Sequence, residues 1–235
     1  MNILVTGASR GIGKEIALSL MALGNVFVTA RSEDELKKLD CAGYFVCDLA
    51  NDEDLTALGN FIKEHKIDVL VNNAGEYIYS KIEETDSEKL KHIIRVNLES
   101  PMYLSGCAVP YMKGNKFGRI INIGSISGVM GEAGASAYSA TKAGLVGFSK
   151  AAGLELAEYG ITVNTINPGW VDTELGKGSI NDSEFSEEEI LDIIPQKRFV
   201  SPKEVAGLVK YLISDEAKGI TGQSINLCAG LSVGI

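Results

Sequence analysis

The chain has 235 residues, 45% of them hydrophobic, with 22 basic against 31 acidic side chains and a formal net charge of −9. That length and apolar content support one α/β domain with a substantial core. The charge balance argues against nucleic acid or an anionic membrane surface as the main partner, since both call for basic patches. The cysteines at 41, 47, 107 and 228 show neither zinc spacing nor a disulfide framework, so reduced thiols in a cytoplasm and no metal are expected. The sequence starts on an apolar strand without a basic leader, and no uncharged apolar run approaches the ~18 residues of a membrane span. A soluble intracellular protein is the expectation.

In chain order, a first strand at Ile3 to Val5 runs into a glycine-rich turn and a helical pattern with Ile16, Leu20 and Leu23. A second strand, Val26 to Thr29, leads to an apparent capping box of Ser32 with Glu35, and a third strand lies at Tyr44 to Cys47. Val69 to Val71 reads as the fourth strand. In the helix from Ser87, Leu90, Ile93, Ile94 and Leu98 form an apolar stripe that also carries Asn97. Arg119 to Ile123 is the fifth strand and Thr162 to Ile166 the sixth. The acidic segment from Gly176 to Gln196 interrupts the alternation and reads either as a mobile substrate lid or as a surface loop with one solvated helix. Ser201, Pro202 and Glu204 open the last helix with a second capping box, and Ser224 to Leu227 is the last strand. Nothing marks a domain boundary. Alternation of wholly apolar strands with helices predicts a single-domain, Rossmann-type doubly wound parallel sheet of about seven strands over residues 1–235. Helices would cover both faces, and ligands would bind at the carboxyl ends of the strands.

The first turn reads Thr6-Gly7-Ala8-Ser9-Arg10-Gly11-Ile12-Gly13. Glycines there permit a tight turn, let backbone N–H groups approach a pyrophosphate, and let the helix pack close to the sheet with its positive end toward the anion. The spacing is Gly-x-x-x-Gly-x-Gly, and it resembles the TGxxxGxG pattern of the short-chain dehydrogenase/reductase family. After the second strand, where NAD-preferring folds place an acidic residue for the ribose, this chain has Arg31-Ser32. Guanidinium groups at Arg31 and Arg10 suit the 2′-phosphate of NADP(H), which makes NADP(H) the expected cofactor. Asp48-Leu49 resembles the family's adenine-contacting pair, and Asn72-Asn73-Ala74-Gly75 its NNAG signature.

Beyond the fifth strand, Ser125 is followed thirteen residues later by Tyr138-Ser139-Ala140-Thr141-Lys142. Residues four apart share a helix face. An ammonium about 5 Å from a phenol, at an effective dielectric near 20, favours the phenolate by roughly 3 kcal/mol and lowers its pKa by about 2. Tyr138 then serves as acid or base. The resemblance implies Ser125 orienting a substrate oxygen, and Lys142 also holding the nicotinamide ribose. It completes the tetrad with Asn97, read either as the holder of a relay water or as a paired core amide. Asn167-Pro168-Gly169-Trp170-Val171-Asp172-Thr173 resembles the family's PG motif, which implies that Pro168, Gly169, Val171 and Thr173 flank the carboxamide.

Within the family, the Thr6 to Gly13 wording and Ile220-Thr221-Gly222-Gln223 look most like the 3-oxoacyl-ACP reductases of fatty-acid biosynthesis, which implies a homotetramer using NADPH on a carrier-bound or small-molecule carbonyl. Two stretches depart from that subfamily, Glu76-Tyr77-Ile78-Tyr79 and Leu227-Cys228-Ala229-Gly230. The alternatives are a dehydrogenase or reductase of a small alcohol, sugar or steroid, and a non-catalytic dinucleotide-binding relative. Lys197, Arg198 and Lys203 are candidates for a basic patch that would receive an acidic carrier protein.

Overall fold

The computed structural model describes residues 1–182 and 186–233. Seven strands form one parallel sheet: β1 (Asn2–Thr6), β2 (Asn25–Ala30), β3 (Gly43–Val46), β4 (Val69–Asn72), β5 (Gly118–Ile123), β6 (Ile161–Pro168) and β7 (Ser224–Leu227). Their order is β3-β2-β1-β4-β5-β6-β7, so the winding reverses between β1 and β4 and opens a crevice at their carboxyl ends. The helices are α1 (Gly11–Leu20), α2 (Glu33–Leu36), α3 (Asp52–Glu64), α4 (Ser87–Ile94), α5 (Ser100–Asn115), α6 (Ser127–Met130), α7 (Ser136–Leu156), α8 (Glu174–Asp182), α9 (Glu187–Ile193) and α10 (Pro202–Leu212).

Alternation along each strand divides the core in two. Ile3 and Val5, Val69 and Val71, and Ile121 and Ile123 point to one face, where Ile16, Leu20, Val205 and Val209 of α1 and α10 cover them. Leu4, Leu70, Ile120 and Val163 point to the other, under Leu55, Leu58 and Ile62 of α3 and Leu104 and Met112 of α5. A fully buried Leu or Ile contributes about 1.5–3 kcal/mol, so central strands apolar on both faces are what this double layer selects. The edges differ from the sequence expectation. In β3, Tyr44 and Val46 are exposed, because an edge strand lies beyond the reach of the covering helices.

Helix starts separate likewise. Ser201 and Glu204 form the expected capping box of α10, and Ser186 with Glu189 forms another at α9. Ser32 makes no side-chain cap; Glu35 turns instead to Lys38, one turn along. The stripe expected after Ser87 is also displaced. Ile93 is buried but Leu90 and Ile94 are exposed, and Val96 is buried in their place. A π-turn at Arg95–Glu99 between α4 and α5 adds a residue that rephases the face after it and buries Val96 and Asn97, while Leu90 and Ile94, which precede it, stay uncovered in the single chain.

No described helix is long and apolar enough to cross a membrane.

Candidate active site

The crevice at the strand ends is a cavity of about 940 Å³. Its floor is the β1–α1 turn. Gly7 (φ +67°) and Gly11 (φ +54°) hold left-handed backbone, and a Cβ on Gly13 would lie 2.3 Å from both the Gly7 carbonyl oxygen and Asn73 Nδ2. The turn is braced from β4. Thr6 Oγ1 accepts from the Asn73 and Ala74 backbone N–H groups, each at 3.0 Å, while Asn73 Nδ2 donates to the carbonyls of Thr6 (2.9 Å) and Gly7 (3.1 Å). The Asn73 amide thus stiffens the loop. At the N-terminus of α1, Arg10 supplies no side-chain cap and the first turn has no acidic residue, whereas α3 and α4 are capped by Asn51 and Asp86. Gly11, Ile12 and Gly13 line the cavity, so this positive helix end faces open space sized for a phosphate.

Ser9, Arg10, Arg31, Ser32, Asp48, Leu49, Asn73, Ala74 and Gly75 line the same cavity, as do Pro168, Gly169, Val171 and Thr173 at the opposite end. Both arginines hold carboxylates: Arg10 pairs with Glu174 of α8 at 2.9 Å, and Arg31 with Glu76 at 2.9 Å. Glu76 also meets His92 Nε2 at 2.7 Å. Both arginine side chains remain more than 60% exposed; an incoming phosphate competes at Arg10 with a carboxylate that water already screens, and at Arg31 with the more buried Glu76. Cys47 lies in the wall too, but burial and two neighbouring aspartates push its thiol up to about 12, which leaves it inert.

Ser125, Tyr138 and Lys142 form the facing wall. Ser125 follows β5, and the other two lie one turn apart on α7. Lys142 is buried, and its Nζ donates to the Ile123 carbonyl at the end of β5 (2.9 Å) and stands 5.7 Å from the centre of the Tyr138 ring. Burial pushes the Lys142 ammonium down to about 8. Tyr138 departs from the sequence expectation. Its phenol is pushed up to about 12, first by burial, with Glu132 adding to the rise and the hydrogen bond to Ser125 working against it. In the site as it stands, desolvation outweighs the ammonium at that distance.

Asn97 is fully buried behind the wall. The π-turn aims its amide at the backbone of Glu76, donating to the carbonyl and accepting from the N–H, both at 2.8 Å. A Cβ on Gly75 would come within 3.3 Å of both Asn97 Oδ1 and Lys142 Nζ, so a bare glycine alone separates the amide from the ammonium.

Sequence reasoning missed the group beside Tyr138. Glu132 accepts from Ser127 Oγ at 2.6 Å and from Tyr77 OH at 2.7 Å, and the Tyr77 ring meets the Tyr138 ring edge-on at 5.1 Å. The motif residues gave no signal of it. Trp170, Leu175 and Gly176, with Ile190 and Ile193 of α9, line the cavity as well. The acidic segment from 176 to 196 therefore includes two helices beside the cavity; its residues 183–185 lie outside the described residues. Lys197 and Arg198, expected in a basic patch, are paired with Asp192 and Glu204.

A family model described as Enoyl-(Acyl carrier protein) reductase matches residues 7–232. The 3-oxoacyl-(acyl-carrier-protein) reductase FabG of Salmonella typhimurium is 40% identical over 97% of this chain and 96% of its own. The chain belongs to the short-chain dehydrogenase/reductase family. Solved short-chain reductases superimpose closely. A variant of the actinorhodin polyketide ketoreductase, crystallised with NADPH, gives a TM-score of 0.91 at 37% identity, covering 99% of this chain and 97% of that one. YwfH, an NADPH-dependent reductase of bacilysin biosynthesis, gives 0.93 at 28% identity over 100% and 99%.

Proposed function

We propose that this chain is an NADPH-dependent reductase that converts a ketone to a secondary alcohol, with a 3-oxoacyl thioester as substrate. The observation that carries it is the convergence on one cavity of a glycine turn open to phosphate and the set Ser125, Tyr138 and Lys142. When bound, the dinucleotide supplies the hydride. Gly11, Ile12 and Gly13 would receive its pyrophosphate through backbone N–H groups, and Gly7, whose own N–H is held by the Thr29 carbonyl at 2.8 Å, would supply the tight turn. Arg10 and Arg31, with Ser9 and Ser32 beside them, receive the 2′-phosphate in place of their present carboxylates. Asp48, Leu49, Ala74 and Gly75 enclose the adenosine, and Pro168, Gly169, Val171 and Thr173 the carboxamide end. Tyr138 donates its hydroxyl proton to the carbonyl oxygen as that oxygen gains charge. A phenol held protonated at neutral pH suits this direction. Ser125 turns its hydroxyl to the same oxygen and fixes its position. Lys142 holds the ribose hydroxyls and, through Asn97 and an intervening water, draws a replacement proton from solvent. The identity to FabG supports the thioester.

A second reading, a small hydroxylated ketone or sugar, is favoured by the polar groups Glu132, Ser127 and Tyr77 at the substrate end. A panel of acyl thioesters, β-ketoesters, steroids and hydroxyketones, followed by NADPH consumption, separates the two. Tyr138→Phe should lower kcat by about 10²–10⁴ while NADPH still binds. Turnover unaffected by that change would refute the mechanism, and no turnover of any ketone by the wild type would leave the dinucleotide-binding relative standing. The tetramer and the carrier-protein partner belong to the same proposal. Exposed Leu90, Ile94, Met102, Tyr103 and Leu154 on α4, α5 and α7 suit subunit contact.

A further inference from the structure

The hydroxyl hydrogens beside Tyr138 form a chain with a fixed sense. An ionised Glu132 can only accept, so the single Ser127 hydroxyl hydrogen goes to its Oε2 at 2.6 Å. Ser127 Oγ is thereby left as an acceptor, and Ser125 Oγ donates to it at 3.1 Å, while the Ser127 backbone N–H donates to Ser125 Oγ at 3.1 Å. The Ser125 hydrogen points away from Tyr138. Turned to Tyr138, the Ser125 hydrogen favours the phenolate; held on Ser127 Oγ by the chain to Glu132, it leaves the phenol only a lone pair, which binds the protonated form. A phenolate could be bonded only after the Ser125 and Ser127 hydroxyls had turned against the carboxylate. Tyr77 completes the device. It donates to Glu132 Oε1 and sets its ring edge against Tyr138, so the carboxylate is fixed in place beside the phenol.

We propose that Glu132 is a positioning residue which, through Ser127 and Tyr77, sets the direction of the Ser125 hydroxyl and keeps Tyr138 protonated, so that it fixes the pH range over which the site acts as an acid. This rests on the reductase reading above. The charged and titratable groups facing Tyr138 are Lys142 on its own helix, Tyr77 on the loop after β4, with Tyr79 acting on Tyr77, and Glu132 on the loop before α7. Lys142 favours the phenolate and Glu132 opposes it. Oxidation needs the phenolate and reduction the phenol, so the carboxylate and the ammonium together set the pH at which one form gives way to the other.

The test is the pH profile of kcat/KM in both directions, with NADP(H) and any ketone and alcohol pair the wild type accepts. Removing the anion lowers the phenol's pKa, so Glu132→Gln should move the rise of alcohol oxidation, and with it the fall of reduction, about one pH unit toward acid. Glu132→Asp, which keeps the charge, should retain the wild-type midpoint even where its kcat is lower. Tyr77→Phe should leave the charge and hence most of the midpoint, while loosening the carboxylate. A midpoint unmoved in Glu132→Gln, with Tyr138→Phe inactive, overturns this role and leaves the reductase reading intact. A wild type inactive on every ketone and alcohol overturns both.

Discussion

The two ends of the cavity are built in different ways. At the phosphate end the fit is made by positive-φ glycines and by the backbone of two motifs, the carbonyls of Thr6 and Gly7 and the N–H groups of Asn73 and Ala74, pinned together by the side chains of Thr6 and Asn73 from those same motifs. At the substrate end it is made by side chains that belong to no motif, such as Tyr77 with Glu132. The first kind of site must be spelled in nearly fixed words, because only glycine satisfies the geometry. The second kind can be assembled from many residue types, so it varies with substrate and leaves no word to read.

That contrast can be broken experimentally. The largest effect is expected at the phosphate end, where Gly13→Ala places a methyl 2.3 Å from a backbone oxygen. Overpacking of that kind costs about 1–3 kcal/mol, so NADPH affinity should fall by up to about 100-fold with the global fold retained. Calorimetric titration measures it, and an unchanged Kd would show that the turn is softer than its packing implies. A smaller effect is expected from Arg31→Asp. Loss of a charge-assisted contact worth about 1.5–3 kcal/mol should cut the preference for NADPH over NADH by about tenfold or more, read as the ratio of kcat/KM values. A wild type without that preference would remove the arginines from the argument. The smallest effect should come from Ile193→Ala on α9. Its half-exposed side chain should change substrate KM by about threefold at most while the NADPH Kd stays put. Equal changes in both would mean that the two ends are not separable.

Legibility followed the same line. Central strands could be read because burial on both faces leaves mostly apolar residues, as with Ile120, Ile121 and Ile123. Every residue singled out for the cofactor lies on the cavity, most of them drawn from motifs that backbone geometry constrains and Arg10 and Arg31 from their charge. What was misread depends on three-dimensional surroundings. Tyr44 and Val46 are apolar yet uncovered, and Ser32 with Glu35 has capping spacing yet Lys38 takes the carboxylate. The rise in the Tyr138 pKa comes chiefly from burial, followed among the raising influences by a carboxylate six residues upstream in a loop. Neither appears in a Tyr-x-x-x-Lys spacing.

The π-turn at Arg95–Glu99 has a consequence for how this scaffold tolerates change. Ser100 closes the wider turn: its backbone N–H donates to Arg95 O, and its single hydroxyl hydrogen lies between Arg95 O at 2.7 Å and Leu49 O at 3.1 Å. Removing one residue there would heal the helix into a regular and intrinsically better one, and would swing Asn97 about 100° off the Glu76 backbone. A designer optimising helix quality would make that deletion first, and in doing so would trade a working pocket wall for a smoother cylinder.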